Sequence, residues 1–133
     1  MAGVHPTVRL AMIISFGIEY QERPWTTNAE RAGNRWQRAS KTKEWRTAFA
    51  WLALQQRPPK LQWCRITVEP WLKNRSGMQD TGACHPAAKA AIDGLVDAGI
   101  IPDDTPDIVR QITYLAPRTG RDALMLIIEG EPK

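Results

Sequence analysis

The sequence predicts a single α+β domain in which a mixed β-sheet packs against two main helices. Three observations predict it. Four apolar runs have the length and composition of strands. Two further segments space their apolar residues as one face of a helix. The order is strand, helix, strand, helix, strand, strand. The 133 residues fit one domain spanning residues 1–133. A chain of that size buries roughly two thirds of its unfolded surface, enough for a core without metal or disulfide staples.

Residues 8–17 read as the first strand, rich in large apolar and β-branched side chains and continuous enough to be covered on both faces. Residues 22–38 carry Pro24, Thr26, Thr27, Asn28, Gly33 and Asn34, which is loop chemistry. A helix is predicted from Ser40 or Thr42, with Trp45, Ala48, Phe49 and Leu52 on its apolar face. Pro58 and Pro59 stop it. Residues 61–69 alternate as a strand, Ile66 and Val68 on one face and Arg65, Thr67 and Glu69 on the other. Residues 71–83 form a loop. The second helix has His85 at the N-cap position and Pro86 at its first position. Ala88, Ala91, Ile92, Leu95 and Val96 form its buried stripe, and Gly99 ends it in a left-handed conformation. Residues 108–116 and 123–129 read as two strands joined by a hairpin loop at residues 118–121.

The net charge is +4, a mild preference for polyanions. Its distribution is more telling. Residues 31–46 hold six basic side chains (Arg31, Arg35, Arg38, Lys41, Lys43 and Arg46) against Glu44, so this window alone carries +5. A loop-like stretch with unmatched basic groups suits phosphate contacts. Trp25 and Trp36 are placed to stack on a base or to pack locally, whereas Trp45 belongs to the core. The apolar run at residues 8–18 contains Arg9 and Ser15 and is too short to span a bilayer. With no secretory pattern, the reading is an intracellular protein with free thiols at Cys64 and Cys84, Cys64 being a small buried strand residue.

Three carboxylates stand out. Asp80 precedes the second helix; Asp103 and Asp104 follow it. If the fold brings them together they make a hard oxygen site of the kind Mg²⁺ or Mn²⁺ prefers. The helix alone would hold its two ends ~20 Å apart, and Asp103 and Asp104 also suit a simple turn. Lys89 and Asp93, four apart, read either as a solvated ion pair or as a lysine aimed at a phosphate in phosphoryl transfer. No Cys or His pair has zinc-ligand spacing. The sequence has no phosphate-cradling glycine loop, dinucleotide fingerprint or nucleophile elbow.

Residues 79–104 carry a specific pattern. Asp80 lies in a loop, Pro86 opens a helix, and Lys89 follows. Then come Asp93-Gly94-Leu95, Ala98-Gly99 and the pair Asp103-Asp104. This resembles the RusA family of Holliday junction resolvases, with a weaker match over residues 28–46. The resemblance implies a homodimeric, Mg²⁺-dependent endodeoxyribonuclease that nicks four-way DNA junctions in recombination and repair, with Mn²⁺ as the other candidate metal. It implies a cytoplasmic setting, in a bacterial cell or a phage-infected host, and no membrane partner. Asp80, Lys89 and Asp104 map to the catalytic positions, with Asp103 beside Asp104 as a metal ligand. Arg31, Arg35, Arg38 and Lys41 would hold the junction arms. One departure stands out: the family's loop carries two acids and an Asn before the helix, whereas here Asp80 is the sole acid. In the ungapped alignment His85 occupies an acidic position and would serve as a substitute ligand. The alternatives are a catalytically weakened junction-binding protein and an interaction domain with no DNA role.

Overall fold

A computed structural model describes residues 12–133, and within them the chain builds one α+β domain with a mixed sheet. Its elements are β1 (Ile14–Tyr20), α1 (Thr27–Ala32), α2 (Arg35–Gln56), β2 (Leu61–Leu72), α3 (His85–Asp97), β3 (Val109–Tyr114), β4 (Arg118–Thr119) and β5 (Ala123–Pro132). The sheet runs β1-β5-β2-β3, with β4 also paired to β2. β5 is antiparallel to both β1 and β2, whereas β3 and β4 run parallel to β2.

The core lies between the helices and one face of the sheet. Ile66 and Val68 of β2, Leu124, Leu126 and Ile128 of β5, and Ile18 of β1 meet Trp45 and Phe49 of α2 and the alanine-rich stripe of α3. The alternation expected in β2 holds: Ile66 and Val68 are buried, Arg65 is exposed, and Thr67 and Glu69 are half-buried. On the opposite face the side chains satisfy one another. Arg65 pairs with Glu129 at 2.9 Å, the Trp63 indole donates to Glu131 at 3.0 Å, and Arg121 lies 3.9 Å from the Trp71 ring centre.

Four local expectations change. The first strand begins at Ile14, and of its residues only Ile18 is fully buried. Among the described residues it pairs with β5 alone, and its mostly part-exposed side chains show that it is not covered on both faces; residues 8–11 of the expected strand lie outside the described residues. Residues 22–38 are partly helical. Thr26 caps α1 through a bond from the Ala29 amide, and Asn34 and Gln37 cap α2 reciprocally, each 2.9 Å from the other's backbone amide. Such a capping box satisfies two orphan donors at once, which starts α2 at Arg35 rather than at Ser40. Cys84 holds the N-cap position of α3 without a side-chain capping bond, and His85 is the first helical residue. Finally, residues 118–121 do not close a hairpin, because β2 lies between β3 and β5.

Gly99 ends α3 in the left-handed region, at φ +75°. The chain then turns back. Ile100 and Ile101 are buried, and the Ile100 carbonyl accepts from the Leu61 amide at 2.8 Å. This return carries residues 103–104 back alongside the helix. Among the described residues, no helix is long and apolar enough to cross a membrane.

Candidate functional site

α3 and the return after it bring one ammonium and two carboxylates together. Lys89, in the second turn of α3, points its ammonium at two carboxylates. Asp93, one turn further on, accepts at 3.0 Å. Asp104 accepts from the same Nζ across the return, 15 residues away in sequence. Asp104 is itself oriented, since its amide donates to Asp103 Oδ1 at 2.8 Å. The Lys89 ammonium holds the Asp104 carboxyl below the ordinary carboxylate range. Reciprocally, the bond to Asp104 raises Lys89 above the ordinary lysine value.

Lys89 and Asp93 open onto a cleft of about 470 Å³ between α1, α2 and α3, whereas Asp104 reaches Lys89 from outside its lining. Arg31 and Arg38 line it together with His85, Lys89, Glu30 and Asp93. The Arg38 guanidinium is fixed by the Gly33 carbonyl at 2.7 Å, which ties it to the C-terminal end of α1. His85 Nδ1 lies 2.9 Å from the Tyr114 hydroxyl. That phenol is pushed above its ordinary value by burial. The wall therefore presents two guanidiniums and an ammonium, donors suited to phosphate oxygens.

The remaining expected residues lie elsewhere. Asp80 is exposed and lines a second cleft, with Lys41 on its wall. Lys41 also sits 3.9 Å from Glu44. Arg35 lies over the exposed Trp36 ring, 5.2 Å from its centre, at the start of α2. Arg46 is occupied, since Asp97 accepts from its Nε at 2.5 Å and its Nη2 at 2.7 Å. Both cysteines are buried and unlinked, and burial pushes each thiol up to about 11, so neither is a reactive thiolate.

The expected ligand set Asp80, His85, Asp103 and Asp104 is therefore not gathered around one point. Among the described residues, no group of three or more His, Cys, Asp or Glu side chains is placed to hold a metal ion. Two carboxylates do converge, on the Lys89 ammonium. Mg²⁺ is commonly held by one or two carboxylates, with waters and substrate phosphate completing the shell. The point where Asp93 and Asp104 meet is held by that ammonium. The sequence reading missed Asp93 as a site residue because its spacing from Lys89 is that of any surface pair; only the return of Asp104 sets it apart.

No protein-family model matches the chain, and no curated protein matches it.

Proposed function

We propose that this protein is a RusA-like endonuclease that hydrolyses phosphodiester bonds in branched DNA, four-way junctions above all. The observation that supports it is that Lys89, which pairs with both Asp93 and Asp104, lines with Asp93 a cleft walled by Arg31 and Arg38. The resemblance joins Lys89 to Asp104 in one catalytic centre, and the same two side chains form an ion pair across the return after α3.

In this reading Arg31 and Arg38 grip the phosphate backbone. Lys89, held by Asp93 on its own helix, turns toward the scissile phosphate and offsets the charge that grows on its oxygens. Asp104 is the carboxylate released by that turn. Mg²⁺ or Mn²⁺ held by Asp93 and Asp104 would polarise the phosphate and lower the pKa of a bound water. A homodimer, the partner state the resemblance implies, would cut two strands symmetrically in a bacterial or phage-infected cytoplasm.

A second reading is a junction-binding protein with weakened catalysis. The position of Asp80, on a different cleft from Lys89, favours it. One assay separates the two: a labelled four-way junction, with linear duplex as control, incubated with Mg²⁺, Mn²⁺ or chelator. Paired nicks that need metal and vanish in Asp104→Asn are expected. Tight, salt-sensitive junction binding without cutting in either metal would give the second reading the field. Cutting by Asp104→Asn at the parental rate would remove the proposed site.

A further inference from the structure

We propose that His85 is the acid of the cleavage step, giving the proton of its Nε2 to the sugar oxygen that leaves phosphorus, and that Tyr114 positions it. The inference rests on the nuclease reading above and fills a role which that reading leaves open. There Lys89 offsets charge on the phosphate oxygens, and nothing supplies a proton to the departing oxygen. An alkoxide is a poor leaving group, so a positioned acid contributes ~10²–10⁴-fold to such a step.

The geometry sets this imidazole apart. His85 is exposed and lines the basic cleft with Glu30 and Arg31 of α1, Arg38 of α2, and Lys89 and Asp93 of its own helix. Among these side chains imidazole alone ordinarily exchanges its proton near neutral pH. Among the described residues the ring has one hydrogen-bond partner, the Tyr114 hydroxyl, 2.9 Å from Nδ1. No carboxylate there meets the ring, and Nε2, on its far edge, is left for a ligand. The two rings are tilted by 56° with centres 6.2 Å apart, so they meet through the hydroxyl rather than by stacking. Both stand on fixed elements. His85 opens α3, its amide donating to the Gly82 carbonyl at 3.1 Å. Tyr114 ends β3 in register with Val68 of β2, and the next amide, that of Leu115, donates to the Val68 carbonyl at 3.0 Å.

That hydrogen bond decides which nitrogen acts. A charged imidazole donates from both nitrogens. With Nδ1–H on the phenol oxygen, the Nε2 proton is the one left to give. After the transfer the neutral ring keeps Nδ1–H on the same oxygen, so the ring need not turn. Burial holds the Tyr114 phenol above its ordinary value, so it stays a neutral partner. In the step, the oxygen of a water bonds to phosphorus as the bond from phosphorus to the sugar oxygen breaks. The electron pair of the broken bond goes to the sugar oxygen, which takes the Nε2 proton. The attacking water releases one proton to solvent, and the imidazole regains one from solvent. The sum is hydrolysis of one phosphodiester bond.

The test is single-turnover cleavage of a labelled four-way junction by the intact protein in Mg²⁺ or Mn²⁺. One substrate has the ordinary linkage; the other has sulfur in place of the departing sugar oxygen. A thiolate leaves without a proton. His85→Gln keeps a side-chain donor but has no proton to release, and His85→Ala removes both. His85 is exposed, so both substitutions leave the core in place. Both variants should cut the ordinary linkage ~10²–10⁴-fold more slowly than the parent, and the sulfur linkage at the parental rate. Tyr114→Phe should slow the ordinary linkage by less, and the sulfur linkage not at all. Equal slowing of both linkages in the His85 variants would overturn the inference, because a binding or structural role acts on both. So would parental cleavage of the ordinary linkage. Parental rates in Tyr114→Phe would remove the positioning role alone. A parent that binds junctions and cuts neither linkage removes the nuclease reading, and this inference with it. A parent whose cutting does not depend on His85 removes this inference alone.

Discussion

The side chain of Lys89 has three donors and two anionic neighbours, and its pairing sets the acid–base behaviour of the cluster. The pair with Asp104 depresses the folded-state carboxyl, so its stabilisation is present above the unfolded Asp value and is lost as pH falls through the lower, folded value. Lys89 is shifted upward, so the same pair is lost again at alkaline pH as Lys89 deprotonates. Carboxyl ¹³C NMR should show Asp104 titrating below the ordinary aspartate range, and Lys89→Met should bring it back up. An unmoved Asp104 titration in Lys89→Met would break the assignment. Both side chains are part-exposed, so the stability change should be small, in the ~0.2–1 kcal/mol range of solvent-facing ion pairs. At this scale the sequence was partly legible. Lys89 and Asp104 stand out by residue type and by resemblance. Asp93 does not, because an i,i+4 aspartate is chemically ordinary until a tertiary contact closes around it.

The α2–α3 crossing depends on Gly94. A Cβ there would stand 2.5 Å from the Arg46 carbonyl and 3.0 Å from the Ala50 amide nitrogen. Both are helix backbone atoms that cannot step aside singly. Gly94→Ala should therefore destabilise the fold by ~1–3 kcal/mol through overpacking, although alanine favours helix. Urea unfolding measures it, and an equal or higher midpoint would show that the helices slide apart freely. Helix boundaries were less legible than helix faces. The stripe from Trp45 to Leu52 and the Gly99 stop follow from spacing and from left-handed backbone preference. The Asn34–Gln37 capping box was hidden by the same Gly33-Asn34 pair that suggests a loop. The hairpin expected at residues 118–121 was misread because two strands close in sequence do not announce a third, 50 residues earlier, that inserts between them.

For the whole molecule, charge placement predicts how DNA binding responds to salt. Each phosphate neutralised adds ~0.9 to the slope of log affinity against log salt. Arg31→Ala and Arg38→Ala, on the wall of the basic cleft, should each flatten that slope by about 1. Arg46→Ala should leave it unchanged, because Asp97 already occupies that guanidinium. Fluorescence anisotropy on a four-way junction across a salt series reads all three. A flattened slope for Arg46→Ala, or none for the other two, would relocate the DNA face. Fold class and the basic window were legible in composition and period. The division of that window between two clefts was not, since it follows from a short helix, α1, that the residues themselves disguise.

The last strand in the sequence lies inside the sheet, between β1 and β2. On the ribosome this imposes a wait. Among the described residues β1 has no strand partner until β5 has been made, and the residues from Tyr20 to Ala123 take ~5–20 s at about 5–20 residues per second. During that interval an apolar strand with unpaired backbone trails from the nascent chain, the form most open to chaperones, proteases and edge-to-edge pairing. A message broken before the codons of β5 would leave a chain that has both of its long helices and no centre to its sheet.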